Sequence, residues 1–344
     1  MKLNLFGTQR SVGLDVGGAF VRALVLAKRR SDVVLCGLGV AAIDGTADSR
    51  SSGQAIHTAL AAAGADGEPV VASIGGPDIV IRQVSLPPIQ HAKILQALEV
   101  QHRELGLLPP GQGVLDAQVL RRSKDGTSNE VLMVSAPKSR IEERLRLLEQ
   151  AAVTVRTLDV EPLALLNAGL HLTGIGAEEL LVLLTVGRRH SVLCLYSERG
   201  PVVARYLHTG AAAFTERLQG IIARSSTKES GKGSGQLTLQ GEDIARAEAA
   251  CHDLVGGMAE DIRLSLTFYR TEYDRESLPR YAIGGSLDVP HISRWIATRL
   301  GLDAPFELMD PFGAVEVAAP PMPAVGAVSG SQFLHAFGLA LRGL

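Results

Sequence analysis

A chain of 344 residues with 46% hydrophobic and 20% charged side chains is globular and long enough for two or more packed units, which excludes a disordered or fibrous class. Its 34 basic and 36 acidic residues leave a formal net charge of −2, which argues against a broad nucleic-acid surface. Aromatic residues make up only 4%, so the core has to be aliphatic. Three scattered cysteines, Cys36, Cys194 and Cys251, match no metal spacing and suit a reducing compartment. Cys194 lies in an apolar run and is expected to be a small core residue. The longest clean apolar stretch, LLVLLTV at 180–186, falls far short of the roughly 20 residues a spanning helix needs. MKLNLFGTQR lacks the apolar core of a signal peptide, so the expected location is the cytoplasm.

In chain order, VGLDV, FVRALVLA and DVVLCGLGVAAI predict three strands over residues 11–42. Gly17 and Gly18 join the first two, and Asp15 ends the first. A lone D-x-G-G favours a plain hairpin over a phosphate turn. Residues 54–64 predict a helix and PVVASIGG at 69–76 a buried strand. DIVIRQVSL predicts a strand ended by Pro87-Pro88. A helix follows with Ile94, Leu98 and Leu105 on one stripe, stopped at Pro109-Pro110. Strands are expected at 114–121 and 129–136. A helix at 139–151 comes next, with a capping-box pattern at Ser139 and Glu142 and an apolar face of Ile141, Leu145, Leu148 and Ala152. A strand at 153–158 would close a β-α-β-β-α-β unit, with both helices on one face of its sheet. Pro162 then opens a helix.

A shift of 170 residues lays Val12–Gly17 on Val182–Gly187, and each copy continues into two more strands around a charged turn. Two equivalent glycine turns point to two lobes facing one cleft. SSTKESGKGSGQ at 225–236 lacks phosphate-loop spacing and predicts a surface loop. Cys251, Leu254, Val255, Met258, Ile262, Leu266 and Tyr269 predict one long helix with a buried stripe, and Glu260 and Arg263 lie on its solvated face. At 281–301 a strand leads through Gly284-Gly285-Ser286 toward a helix with Ile292, Trp295, Ile296 and Leu300 inward, a turn that lets backbone approach a ligand. VAAPPMPAVGAVSGS is linker-like. The chain ends in a helix with Phe333, Leu334, Phe337 and Leu341 on one face, expected to dock on the core.

The order of these parts resembles the actin-like ATPase superfamily, and its details resemble the PilM-like branch, actin-like proteins of type IV pilus assembly related to FtsA. The resemblance covers nearly the whole chain. It rests on LNLFG before VGLDVGGAFVR, on LPPIQHAKILQALEVQHRELGLLP, on VLMVSAPKSRIEERLRLLEQAAVTVRTLDVEPLALLNA, and on FGLALRGL. It implies an α/β, ribonuclease-H-like fold of two lobes. The first lobe would take residues 1–76 with helix 331–344 returning to it, an inserted βαββαβ subdomain 77–157, and the second lobe 158–330. It implies ATP and Mg in the cleft. The first phosphate loop would supply Asp15, Gly17, Gly18, Ala19, Phe20 and Arg22, with Asp15 toward the metal. The second would supply Gly187 and Arg188, and the adenosine loop Gly284, Gly285 and Ser286. It also implies a groove beside the insert that grips the cytoplasmic N-terminal peptide of a PilN-like inner-membrane protein, with Arg82 and Gln83 at its wall. Pilus motor and platform proteins are further implied partners, with indirect membrane association at the cytoplasmic face.

The sequence departs from that family pattern in both loops. Gly18, Ala19 and Phe20 stand where hydroxyls are usual, and Arg22 stands near a lysine position. Thr185 replaces an aspartate that serves Mg-bound water, so metal-assisted activation has lost one of its carboxylates. Backbone N–H groups and arginines remain as phosphate donors. The expectation is an adaptor with weak or absent nucleotide binding and slow or undetectable hydrolysis. The alternatives are an active ATPase or small-molecule kinase of the same fold, or a type II secretion platform protein.

Overall fold

The computed structural model describes residues 9–30, 32–43, 49–104, 111–123, 125–176, 178–197, 200–226, 239, 241–273, 277–285, 289, 291–318 and 329–344. Leu105, Pro109-Pro110, Ser286 and nearly all of the 225–236 segment lie outside them. Strands β1 (Gln9–Val16), β2 (Phe20–Arg29) and β3 (Asp32–Ala42) form an antiparallel meander in which Asp15 stands opposite Arg22. Helix α1 (Ser49–Ala62) crosses one face, and β4 (Val70–Ile74) returns parallel to β1. β1 and β2 are buried almost end to end, so they carry continuous apolar runs rather than an alternating pattern.

The chain then leaves this sheet. Strands β5 (Val80–Leu86), β6 (Gly113–Arg122) and β7 (Asn129–Pro137) form a separate three-stranded antiparallel sheet in the order β5-β7-β6. Helix α2 (His91–Glu104) packs Ile94 and Leu98 on Leu86, Val131 and Met133 of one face. Helix α3 (Lys138–Gln150) does not share that face. Its Leu148 joins Ala55, Ile56 and Ala59 of α1, and its Ile141 packs with Ile74 and Val160. Strand β8 (Val155–Val160) likewise pairs with β4 in the main sheet, whose order is β14-β3-β2-β1-β4-β8. The independent unit is therefore β-α-β-β, and the expected second helix and closing strand belong to the lobe. The physical reason is hydrophobic: α3 has a buried partner in α1, and β8 finds an open edge on β4. The capping box does not form either. β7 runs directly into α3, so Pro137 is the cap and Glu142 pairs with Lys138 at 3.7 Å. Leu145 is exposed, and Ala151 rather than Ala152 is buried.

Helix α4 (Glu161–Thr173) crosses to the second lobe, where β9 (Glu179–Val186), β10 (Ser191–Ser197) and β11 (Gly200–Leu207) repeat the meander. Helices α5 (Ala211–Ser226), α6 (Glu242–Ala250) and α7 (His252–Tyr273) come after it. α7 is the expected long helix, with Cys251 just before its start after the short α6, and Val255, Met258, Ile262, Leu266 and Tyr269 are buried as the spacing predicts. β12 (Leu278–Gly285) runs parallel to β9, as β4 runs parallel to β1. Helix α8 (Ile292–Leu300) begins seven residues after Gly285, so the Gly-Gly pair does not open it directly. Short strands β13 (Glu307–Leu308) and β14 (Glu316–Val317) edge the second and first sheets.

Helix α9 (Leu334–Arg342) packs between α4 and the β1–β2 surface. The approach is main chain to main chain. A Cβ at Gly13 would collide with the α9 backbone at Ala336, and one at Gly338 with the α4 carbonyl of Ala164. Gly338→Leu is expected to cost about 1–3 kcal/mol through overpacking. Gly53→Ala in α1, where the nearest atom to a new Cβ lies 3.9 Å away, is expected to gain about 0.5–1 kcal/mol. Urea unfolding midpoints check both signs.

Candidate functional site

The two meanders aim their first turns at one cleft of about 730 Å³. The turns close alike: Gly17 N–H donates to the Phe20 carbonyl at 3.0 Å, and Gly187 N–H to the His190 carbonyl at 3.1 Å, again 170 residues apart. Those two N–H groups are thus occupied within their own turns. The second turn is fixed to the start of α5, where Ala211 and Ala212 N–H donate to the Gly187 and Arg188 carbonyls. Asp15, Gly17, Gly18, Ala19, Phe20, Arg22, Gly187, Arg188 and Gly285 all line the cleft. Gly284 does not serve it; it leaves room for the Leu334 side chain of the α9 packing.

Asp15 is the buried centre. Its Oδ1 lies 3.1 Å from His335 Nδ1, and its Oδ2 lies 3.5 Å from Arg22 Nη1. The other ring nitrogen, His335 Nε2, is 3.0 Å from Ser73 Oγ. Arg144 of α3 places both terminal nitrogens 3.3 Å from the Val16 carbonyl and so pins the first turn from above. Burial alone would raise the Asp15 carboxyl, but His335, Arg22 and Arg144 outweigh it and hold it below its usual range. For His335 burial opposes the cation, and Asp15 with Glu161 outweighs that, so the ring titrates above its usual value. Glu161, the first residue of α4, enters the same cleft. It accepts from the Tyr206 hydroxyl at 3.0 Å and faces His190 Nε2 at 3.8 Å. Burial works against its charge, yet the histidines keep its carboxyl below the ordinary range.

These residues do not fit a magnesium site. A hard cation wants oxygen ligands, and both Asp15 oxygens face nitrogen atoms, of His335 and Arg22. Thr185 stands where a second carboxylate would be needed. Among the described residues no group of three or more His, Cys, Asp and Glu side chains could hold a metal. The metal role expected of Asp15 is replaced by an anchoring role. The cleft suits an anion better, with six arginines and three carboxylates along it. Cys194 is buried and its thiol is pushed far up by burial, which makes it an inert core residue as expected.

Arg82 and Gln83 are neighbours on β5 and so point to opposite faces. Register puts Arg82 with Met133 on the α2 side, and Gln83 with Leu132 on the other. Gln83 and Leu120 approach Gly200 of β11, so the insert touches the second lobe as well as the first. Val114 stands exposed on the Gln83 face.

His335, Arg144 and Ser73 had no signal in the sequence, because nothing local distinguishes them from surface polar residues. Glu161 had one: an acidic residue at the strand end with proline next, where α4 begins.

Two duplicated α/β lobes around a turn-lined cleft define the actin-like ATPase fold. The "PilM-PilN type IV pilus biogenesis complex" superposes with a TM-score of 0.75 at 21% identity, covering 97% of this chain and 98% of that one. The ethanolamine utilization protein EutJ from Carboxydothermus hydrogenoformans gives 0.50 at 14% identity over 98% and 91%. A Bacteroides thetaiotaomicron protein described as having an actin-like ATPase fold and unknown function gives 0.43 at 9% over 92% and 96%. No curated protein matches significantly. The family model "Type IV pilus assembly protein PilM" matches residues 13–344, and the chain belongs to that family. Among the described residues no helix is long and apolar enough to cross a membrane.

The buried Asp15–His335 pair sets a pH window. The raised His335 contributes stability fully present below its unfolded value of 6.5 and lost as pH rises through its folded value. The depressed Asp15 contributes stability present above 3.8 and lost as pH falls through its folded value. Arg22, Arg144 and Glu161 are the charged groups that face the pair. Denaturation midpoints of the native chain minus those of His335→Gln are expected to shrink from pH 6 toward alkaline pH, and a flat difference would contradict the pairing.

Proposed function

We propose that the protein is a cytoplasmic adaptor of the type IV pilus inner-membrane platform and not a working metal-dependent ATPase. Its task is to hold the N-terminal cytoplasmic peptide of a PilN-like membrane protein, which keeps it at the inner face of the membrane near the motor and platform proteins. The observation that carries the second half is Asp15, whose two oxygens are held by His335 and Arg22 while Thr185 supplies no charge. The first half is supported by the family and by the fold likeness to a PilM–PilN complex.

The groove we favour is the part of the three-stranded sheet's α2-distal face that α3 and β11 leave open, with exposed Val114 in it, Gln83 at its border with β11 and Arg82 behind it. An apolar peptide anchor buried there would contribute about 1.5–3 kcal/mol. Micromolar capture needs about 8 kcal/mol, so several anchors and main-chain hydrogen bonds have to combine. The division into lobes around an insert gives a clean test. Arg140 pairs with Asp78 at 3.1 Å, so the two ends of the β5–β7 segment lie together, and residues 80–137 can be replaced by a short linker. The shortened chain is expected to fold and to lose a fluorescent PilN-like peptide in anisotropy titrations. Val114→Asp in the full chain is expected to weaken the peptide at least tenfold, about 1.4 kcal/mol, and Arg82→Ala to leave it unchanged. Undiminished binding to the folded shortened chain would place the groove elsewhere. Purified protein is expected to hydrolyse no ATP above the blank, and turnover at ordinary enzymatic rates would sink the adaptor account.

A further inference from the structure

We propose that the cleft takes a di- or triphosphate as the metal-free anion, with arginine side chains supplying the neutralising charge that a divalent cation would otherwise supply. This rests on the reading of the cleft as metal-free, and adds to it that the cleft is still a ligand site.

Four observations point there. The first is unpaired donors: Arg22 Nε and Thr185 Oγ1 are buried without a hydrogen-bond partner, and both residues are only 8% exposed and line the cleft. A buried guanidinium N–H left unpaired is unfavourable, so a ligand oxygen there is the simplest explanation. The second is a bridging cation. Arg189 of the second turn reaches across to the first, where a Cβ on Gly18 would come 3.2 Å from its Nη2. It has no carboxylate partner among the described residues, and Arg188 beside it has none either. The third is the glycine itself: Gly18 leaves the space through which the two turns face each other. The fourth is the sign of the charge along the cleft, where Arg140, Arg144 and Arg146 of α3 add to Arg22, Arg188 and Arg189. Guanidinium groups bind phosphate oxygens bidentately and need no metal to do so. Asp15 is then the fixed counter-charge that orients Arg22 and His335, with each of its oxygens already facing a nitrogen donor.

The test is calorimetric titration of the full chain with ATP, once in EDTA and once with excess magnesium, with inorganic tripolyphosphate as a parallel probe. Binding in EDTA is expected, and weaker binding in excess magnesium, where the metal sequesters the free anion, with Arg189→Glu weakening ATP at least about tenfold in EDTA while the far-ultraviolet spectrum and unfolding midpoint hold. Thr185→Asp is expected to weaken ATP in EDTA and to make binding recoverable by magnesium. Tripolyphosphate binding as tightly as ATP makes the phosphates the whole recognition element, and ATP binding alone adds the nucleoside, each in keeping with the proposal. Binding that requires magnesium, or that is as tight or tighter in its excess, overturns it. So does the absence of any ATP or tripolyphosphate heat from folded protein. Peptide capture measured on the same sample then tells whether the adaptor reading stands by itself.

Discussion

The close crossing of α9 between β1 and α4 is the constraint on which the cleft depends. Two positions without side chains, Gly13 and Gly338, let three backbones approach to main-chain contact. That approach fixes α9 in depth and rotation, and its inward face of Phe337, Leu334 and Ala340 locks it. One residue after Leu334 comes His335, which the same rotation carries to Asp15 at the end of β1. A packing device in the core of the first lobe thereby decides the chemistry of a site between lobes. Gly284 shows the same logic from the other side, since its missing Cβ is filled by Leu334.

The consequence for the cleft is electrostatic. A carboxylate taken out of water has to be paired, and there are two ways to pair one in this fold: a metal, or protein cations. This chain uses protein cations. Arg22 sits directly across the ladder from Asp15, so β1–β2 register delivers it without any loop. His335 closes the other oxygen and is itself held by Ser73 of β4. Arg144 comes from the helix after the insert and fastens the turn from outside the sheet. Glu161, at the opposite wall, is tied to Tyr206 and faced by His190, so its charge is likewise directed inward to protein partners. The carboxylates here hold the architecture of the cleft, and the excess positive charge is left on the turns.

The fold was legible in the sequence where a periodic pattern met a packing need that repeats. Val12–Gly17 and Val182–Gly187 announce the two meanders because both serve the same parallel return strand, β4 or β12. The insert's edges were not, because β8 and α3 look alike in sequence whether they complete a small sheet or rejoin a large one; only the open edge of β4 and the apolar groove beside α1 decide it. Ser139 and Glu142 satisfy the pattern of a cap, but β7 leaves no loop for a cap to close. The glycines and Arg22 of the cleft were visible because they stand at turns. His335 and Arg144 were not, because their importance lies in where a distant helix lands, and no local spacing encodes that.

The insert is where the two halves of the proposed function meet. Its sheet is anchored to the first lobe through α3, which carries Arg144 to the first turn and Arg140 to the root of the insert at Asp78. Its outer strands reach the second lobe at Gly200, where Gln83 and Leu120 close on β11. β11 leads straight to the turn at Thr209 and Gly210 that supports Arg188 and Arg189 through Ser191 and the start of α5. A body tied to both lobes and to both cleft turns through rigid elements would not shift on its sheet without moving one turn relative to the other. In the proposed reading, an anion drawing the turns together and a peptide seated on the insert would act on one mechanical degree of freedom, the opening of the cleft. Coupling between two sites requires such a shared element that both bias, and α3 and β11 are the elements that would supply it from opposite sides.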